Sequence, residues 1–435
     1  MSAMGQAAAE GARPRSAVSP AVGLVGLAGL LAWTAAAFAL GMAGPLAALC
    51  GLLACGVPMI VWSFAVDKVH RSPTSGIDWE APPRPISETM PTSLVKIAGL
   101  WATWGAIGFL YCVGRWYWEG QYLFAMEVLG LGLAPLVLAS IPYVIWLDRR
   151  LKEPRDGAWH FGCLVIGRHG LAERERIHEH LRCWAIKAFF LAFMLAVLPG
   201  NWFNVIRPGG AEIIANPVAL TIWIANLTFM VDVSFATLGY MLTLKPLDAH
   251  IRSANPYAAG WTAALLCYPP FSAGGVGGPL NYHPGSADWA YWMEGWPALL
   301  ALYAVPLIAL HIIYAWATVA FGLRFSNLTH RGILTHGPYA WTKHPAYLSK
   351  TLFWWMASLP FLAANGNPVD MVRNTMLLAG VSGVYYWRAR TEERHLLADP
   401  AYRDYAAWMA ANGPLARLAR HLRRPAREPE LAAAE

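Results

Sequence analysis

The sequence predicts an all-α protein, a polytopic bundle of about ten transmembrane helices that ends in a C-terminal helical hairpin. Three observations predict it. Of 435 residues, 57% are hydrophobic and 14% charged, with a mean hydropathy of +0.38, whereas an ordinary soluble domain carries about 25% charged residues. The apolar residues gather into blocks of about 18 to 25, the length that crosses a bilayer core of about 30 Å as helix. The basic residues, which give a formal net charge of +7, lie in the loops between blocks, where positive charge on the cytoplasmic side sets orientation. Topology therefore explains the charge without nucleic acid. Disordered, collagen-like and disulfide-framework classes fail on composition, and Cys50, Cys55, Cys112, Cys163, Cys183 and Cys267 form no C-x-x-C pair.

In chain order, apolar blocks at 18–42, 45–66, 93–114, 122–147, 183–206, 216–243, 297–322 and 346–364, and a shorter one at 371–387, each predict a span. Arg13 and Arg15 precede the first block as in a secretory signal, but the run is long and a second follows at once, which predicts an uncleaved first span. The stretch 256–271, closed by Pro269 and Pro270, is either a short span or a re-entrant segment. Charge decides between them. The loop 148–182 is the densest basic loop and is placed in the cytoplasm, which puts the loops holding Lys68, Arg71 and Arg84, and Lys245 and Arg252, on the same side. The loop with Arg324, Arg331, Lys343 and Lys350 joins them only if 256–271 crosses. Both termini are then cytoplasmic, in a membrane expected to be the bacterial inner membrane. Residues 1–290 form helices of unassigned function, 291–410 a C-terminal core, and 411–435 a basic tail that reads as disordered.

The chemistry concentrates at 330–409. A loop with two turn signals leads to a helix opened by Pro345, a tight hairpin at Asn365–Pro368, a returning helix and a charged amphipathic segment. The hairpin returns both outer ends to one face, so His344 and Tyr347 are expected near Arg388, Arg390, Glu392 and Glu393. Polar groups converging beside apolar walls are the signature of a ligand site.

These residues carry a resemblance. "THGPYAWTKHPAYL", then "RARTEE" about 45 residues on, then "YRDY", resembles the C-terminal signature of the isoprenylcysteine carboxyl methyltransferase family: G-x-Y-A-W, R-H-P-x-Y-x-G, a helical hairpin, R-x-E-E and a trailing Y-x-x-Y. About 80 residues are covered. The resemblance implies S-adenosylmethionine as cofactor, a cofactor pocket on the cytoplasmic side made by the last helices and tail, and a lipophilic or lipid-linked methyl acceptor entering from the membrane. Residue by residue it implies cofactor binding by Tyr339, Trp341, His344, Pro345, Tyr347, Arg390, Glu392 and Glu393, with His344, Arg390 and Glu393 nearest the chemistry; Tyr402 and Tyr405 match the trailing tyrosines. Lys343 stands where the family has Arg, keeping charge without the bidentate fork, and Ser349 where it has Gly.

The physics of the cofactor agrees. A sulfonium is attracted to aromatic faces by about 0.5–2 kcal/mol, which Tyr339, Trp341 and Tyr347 are suited to offer. Glu393 can accept from ribose hydroxyls or an amino group, and Arg390 or His344 can pair with a carboxylate.

Other features read as structure. Tyr402 and Tyr405 read as packing residues. Glu127, Asp232 and His311, ionisable groups inside apolar blocks, are expected to face the bundle interior, either lining the acceptor pocket or forming a polar network. His169, His178 and His180 read as a solvated helix, because i and i+2 side chains do not share a face, and no metal is expected. The Gly-rich "SAGGVGGPLNYHPG" lacks the context of a phosphate loop, and "GRWYWEGQY" reads as an interfacial aromatic belt.

Two other function classes stand beside methyl transfer. Membrane sterol reductases resemble the chain in length and share an H-P-x-Y pocket that binds NADPH, but this tail has "RTEERHLL" in place of their R-C-x-x-K-Y-G-x-x-W run. A non-catalytic transporter or scaffold with a decayed pocket is the third.

Overall fold

A computed structural model describes residues 12–414 and 416–418; the expected disordered tail lies almost wholly outside these. Among them, fourteen helices succeed one another, beginning with α1 (Pro20–Leu40), α2 (Pro45–Ala65), α3 (Ile86–Val113) and α4 (Tyr122–Asp148). Next come α5 (Gly157–Val165), α6 (Arg174–Ile206), α7 (Gly210–Ile213), α8 (Pro217–Met241), α9 (Ala258–Leu265) and α10 (Trp289–Trp292). The last four are α11 (Pro297–Val319), α12 (Pro345–Ser358), α13 (Pro368–Leu396) and α14 (Pro400–Asn412). Seven of them place Pro in the first turn, where its missing N–H costs nothing. Strands β1 (Ser253–Ala254) and β2 (Thr329–His330) pair antiparallel, Ser253 opposite His330.

Seven helices, α1, α2, α3, α4, α6, α8 and α11, are long and apolar enough to cross a membrane, so the chain is a helical membrane-type bundle. Three expected spans are not among them. In 256–271 only α9 is helical, eight residues or about 12 Å long; helix α12 has fourteen residues, about 21 Å, and stops at Leu359 because Pro360 disfavours helical backbone in the residue before it. Helix α13 is long enough at 29 residues but carries Arg373, Arg388 and Arg390. The run 171–182, expected as a charged surface helix, supplies the first turns of α6 from Arg174 onward, and the helix continues unbroken into its apolar part.

Helices meet where side chains are absent, as in membrane packing generally. A Cβ on Gly99 would lie 2.1 Å from the Ala158 carbonyl oxygen, and one on Gly162 2.0 Å from that of Val95, so α3 and α5 touch backbone to backbone. Nearby, the buried Lys96 ammonium sits 2.6 Å from Asp148 and 3.0 Å from Asp156, tying α3, α4 and the start of α5. The main core gathers around α6 and α8, where Phe190 and Tyr240 stack at 5.4 Å.

Helices α8 and α11 run side by side in the same direction: Thr228 meets His311, Asp232 meets Thr318, and Gly239 meets Phe325. The segment joining them must therefore pass from one end of the bundle to the other. It does so mostly without helix. Residues 266–288 lie antiparallel against α13: Gly274 packs on Val381, Leu280 near Gly380, and the Pro284 carbonyl accepts from Asn374 Nδ2 at 2.8 Å. Non-helical backbone at such depth is tolerated where protein covers it.

Candidate functional site

The site forms where the α12–α13 hairpin closes. Asn367 caps α13 by accepting from the Val369 N–H, and Gly366 takes φ +71 in the turn, so the end of α13 returns to the start of α12. There His344, the residue before α12, places Nε2 3.0 Å from Glu393 Oε1. Lys343 Nζ lies 2.6 Å from the same oxygen, and Arg390 Nη1 donates to Oε2 at 3.1 Å. One helical turn into α12, the Tyr347 hydroxyl donates to Glu392 at 3.0 Å, and its ring stacks on His344 at 5.6 Å and 8°. The hydrogen bond from His344, aided by Lys343, outweighs desolvation and holds the Glu393 carboxyl down at about 2. Glu393 is therefore anionic at any working pH.

Six of the eight residues proposed from the sequence are thus brought together or flank the cluster: His344, Pro345, Tyr347, Arg390, Glu392 and Glu393. Tyr339 and Trp341 sit to one side, on the loop before α12. The Tyr339 ring is set edge-on to Phe321 at 5.5 Å, its carbonyl accepts from the Tyr405 hydroxyl at 2.7 Å, and burial together with the charge of Glu392 keeps its own hydroxyl protonated. Trp341 is 56% exposed and touches Trp316 edge-on at 5.7 Å. Tyr402 and Tyr405 are buried with Ile333, Trp408 and Met409, where they brace the loop.

Arg388, expected near His344 and Tyr347, takes a place at the site that the sequence did not define, and the structure adds Asn327, Tyr268 and Lys350. Arg388 is buried, bonds Asn327 Oδ1, and lies over the rings of Tyr347 at 5.2 Å and Tyr268 at 5.7 Å. Lys350, one turn beyond Tyr347, lies 4.5 Å over the Tyr314 ring; Tyr314 in turn donates to Asp232 at 2.5 Å, as does Thr318. The i, i+3 spacing of Tyr347 and Lys350 puts both on one face of α12 and was a usable signal. Nothing local in the sequence links Asn327 or Tyr268 to the hairpin. Asp232 belongs to a polar network, His311 meets Thr228 at 3.4 Å and Phe353 at 4.1 Å, and Glu127 faces outward, exposed, against the expectation of an interior position, because α4 turns that face away from its neighbours.

Beyond Lys350 a cavity of about 680 Å³ opens between α12, α13 and the non-helical segment, lined by Cys267, Tyr282, Phe353, Trp354, Val381 and Tyr385 among others. A charged, hydrogen-bonding mouth thus leads toward an apolar chamber, an arrangement suited to a polar cofactor and a greasy partner. Among the described residues no group of three His, Cys, Asp or Glu could hold a metal ion.

Residues 301–409 match a family described as Protein of unknown function (DUF1295). That family is related to steroid reductase and isoprenylcysteine carboxyl methyltransferase-like membrane proteins. No curated protein and no solved structure matches the chain.

Proposed function

We propose that the chain is an integral membrane methyltransferase that transfers a methyl group from S-adenosylmethionine to a lipophilic acceptor. The observation that carries this reading is the meeting of Lys343, His344 and Tyr347 with Glu392 and Glu393 at 2.6–3.1 Å across the hairpin, with Arg390 bonded to Glu393 from the same helix, in the order and spacing of the methyltransferase signature.

The residues present suit such a cofactor. Glu392 accepts hydrogen bonds only from Tyr347 among the described residues, with His344 Nδ1 3.8 Å away, so its other lone pairs are open to ribose hydroxyls or an amino group. Arg390, with a side chain 61% exposed, uses one nitrogen on Glu393 and keeps the rest of its fork for a carboxylate. Tyr339 and Tyr347 place aromatic rings beside the site, which suits a sulfonium. When bound, the cofactor supplies an electrophilic methyl group. The protein then has to align acceptor and methyl group and keep water out, a contribution of about 7–11 kcal/mol where alignment is good. The chamber beyond Lys350 has the volume and apolar lining of a small-molecule pocket and is assigned to the acceptor, whether an isoprenyl-cysteine carboxylate or another isoprenoid or lipid.

In the same reading the chain makes about ten passes: the seven apolar helices, the two arms of the hairpin and the segment 255–288. The Arg-rich loops and both termini then face the cytoplasm of a bacterial inner membrane. A second reading, an NADPH-dependent sterol-type reductase, is favoured by the family's relation to steroid reductases. Calorimetry on the detergent-purified protein separates the two. S-adenosylmethionine and S-adenosylhomocysteine are expected to bind and NADPH not; tight NADPH binding with no response to either adenosyl compound overturns the methyltransferase reading.

A further inference from the structure

A second pocket, of about 430 Å³, plays no part in the site above. It lies where four chain segments end on the face that carries His344 and Glu393: the start of α1, the end of α2, and the loops after α8 and α11. Its floor holds Asp248, 3% exposed. Asp248 Oδ2 accepts from Thr74 at 2.6 Å and from Arg324 at 2.8 Å, with Arg252 3.8 Å away, but Oδ1, equally buried, has no partner. A buried carboxylate oxygen without a donor is costly, and this one belongs to a residue that lines a pocket.

Of the other charged residues in the lining, Asp67 is acidic and Lys68, Arg71 and Arg324 are basic. Lys68 and Arg71 line it from the loop after α2, are exposed, and form no ion pair among the described residues. Helix α1 starts at its edge with Ser19, whose hydroxyl makes no cap bond and has no partner, followed by Pro20. The first turn of a 21-residue helix, its positive dipole end, is left without a side-chain cap. One pocket therefore offers a carboxylate oxygen that lacks an N–H donor and a set of donors seeking an anion.

The geometry points to this pocket as the binding site for the headgroup of an aminophospholipid, with the ammonium on Asp248 and the phosphate between Lys68, Arg71 and the start of α1. A lipid is chosen over a soluble zwitterion because the pocket is built at the ends of apolar helices, which expose Leu24, Val61 and Phe64 within two turns of it. Its occupant bears on the candidate site. Arg324 also donates to the Arg331 carbonyl at 3.0 Å, and the Ala17 N–H donates to the Ile333 carbonyl at 2.8 Å, so the pocket walls hold the strand that leads to Tyr339 and His344.

Native mass spectrometry of the full-length, delipidated protein in detergent tests this, with phosphatidylethanolamine, phosphatidylglycerol or phosphatidylcholine added back. One phosphatidylethanolamine is expected to be retained per chain. Phosphatidylcholine, which has no N–H for Asp248, and phosphatidylglycerol, which has no cation, should each be retained at least tenfold less. The double variant K68M/R71M, altered only at exposed positions, should keep the wild-type unfolding temperature and lose phosphatidylethanolamine tenfold. Equal retention of all three lipids, or undiminished retention by the variant, overturns the assignment. So does a protein stabilised by soluble O-phosphoethanolamine that retains no lipid.

Discussion

Glu393 is the residue on which the candidate site turns, and replacing it with Gln separates its parts. In the folded protein its carboxylate meets Lys343 at 2.6 Å, His344 at 3.0 Å and Arg390 at 3.1 Å, and the His344 hydrogen bond, with that of Lys343, holds it at about 2 rather than the usual 4.5. At about 1.4 kcal/mol per pH unit such a displacement is worth at most about 3 kcal/mol, and solvent screening at the mouth of the site reduces this to about 1–2 kcal/mol. Because the folded carboxyl is the stronger acid, this stabilisation is fully present above pH 4.5 and is lost as pH falls from 4.5 through 2. The assay is unfolding of the detergent-purified protein by added SDS, for wild type and E393Q, at steps from pH 7 to pH 2.5. The wild type should exceed E393Q by about 1–2 kcal/mol at pH 7, and the difference should shrink toward zero below pH 3. S-adenosylhomocysteine binding to E393Q should fall at least tenfold at pH 7. A stability difference that is the same at pH 7 and pH 2.5 refutes the ion cluster, and unchanged ligand binding refutes its role in the site.

Further outcomes follow from other contacts. Tyr347→Phe removes the hydroxyl that Glu392 accepts, and should weaken S-adenosylhomocysteine by about fivefold, the worth of about 1 kcal/mol, with unfolding unchanged; calorimetry reads both. Gly162→Ala forces a methyl group against the Val95 carbonyl and should destabilise the protein by about 1–3 kcal/mol without altering ligand affinity at the remote site. Asp232→Ala leaves the hydroxyls of Tyr314 and Thr318 without their acceptor and should cost about 1–3 kcal/mol in SDS unfolding. His395, buried beside Ser253 at 2.9 Å, has its pKa lowered to about 4 chiefly by burial. Its neutral form stabilises the fold above pH 6.5, and that contribution is lost as pH falls from 6.5 to 4; His395→Gln should flatten stability across that window.

How far the sequence reached depends on the range of the forces involved. Most apolar blocks appear as helices close to their expected limits because helix length and lipid burial are set within one segment. The hairpin was legible because Asn365, Gly366, Asn367 and Pro368 carry their own turn chemistry, and a hairpin leaves no choice about which ends meet. That is why His344, Tyr347, Glu392 and Glu393 could be grouped before any coordinates. What failed was non-local. The stretch 256–271 has span-like composition, yet Pro256, Pro269 and Pro270 leave it only eight helical residues, and its path is fixed by packing on α13. Glu127 shares its helix with interior residues and still faces out, since which face is buried depends on the neighbours.

The sequence by itself therefore determined the class of the molecule, its helices and the pairing of His344 with Glu393, because each follows from hydrophobicity, turn chemistry or a short hairpin. Only the tertiary structure decided that Arg388 is held by Asn327 and Tyr268, that Lys350 reaches Tyr314 and Asp232, and that a non-helical segment walls the apolar chamber. Those contacts join residues between 36 and 120 positions apart. They exist because α8 and α11 run parallel, and backbone packed that closely fixes which distant polar groups must satisfy one another.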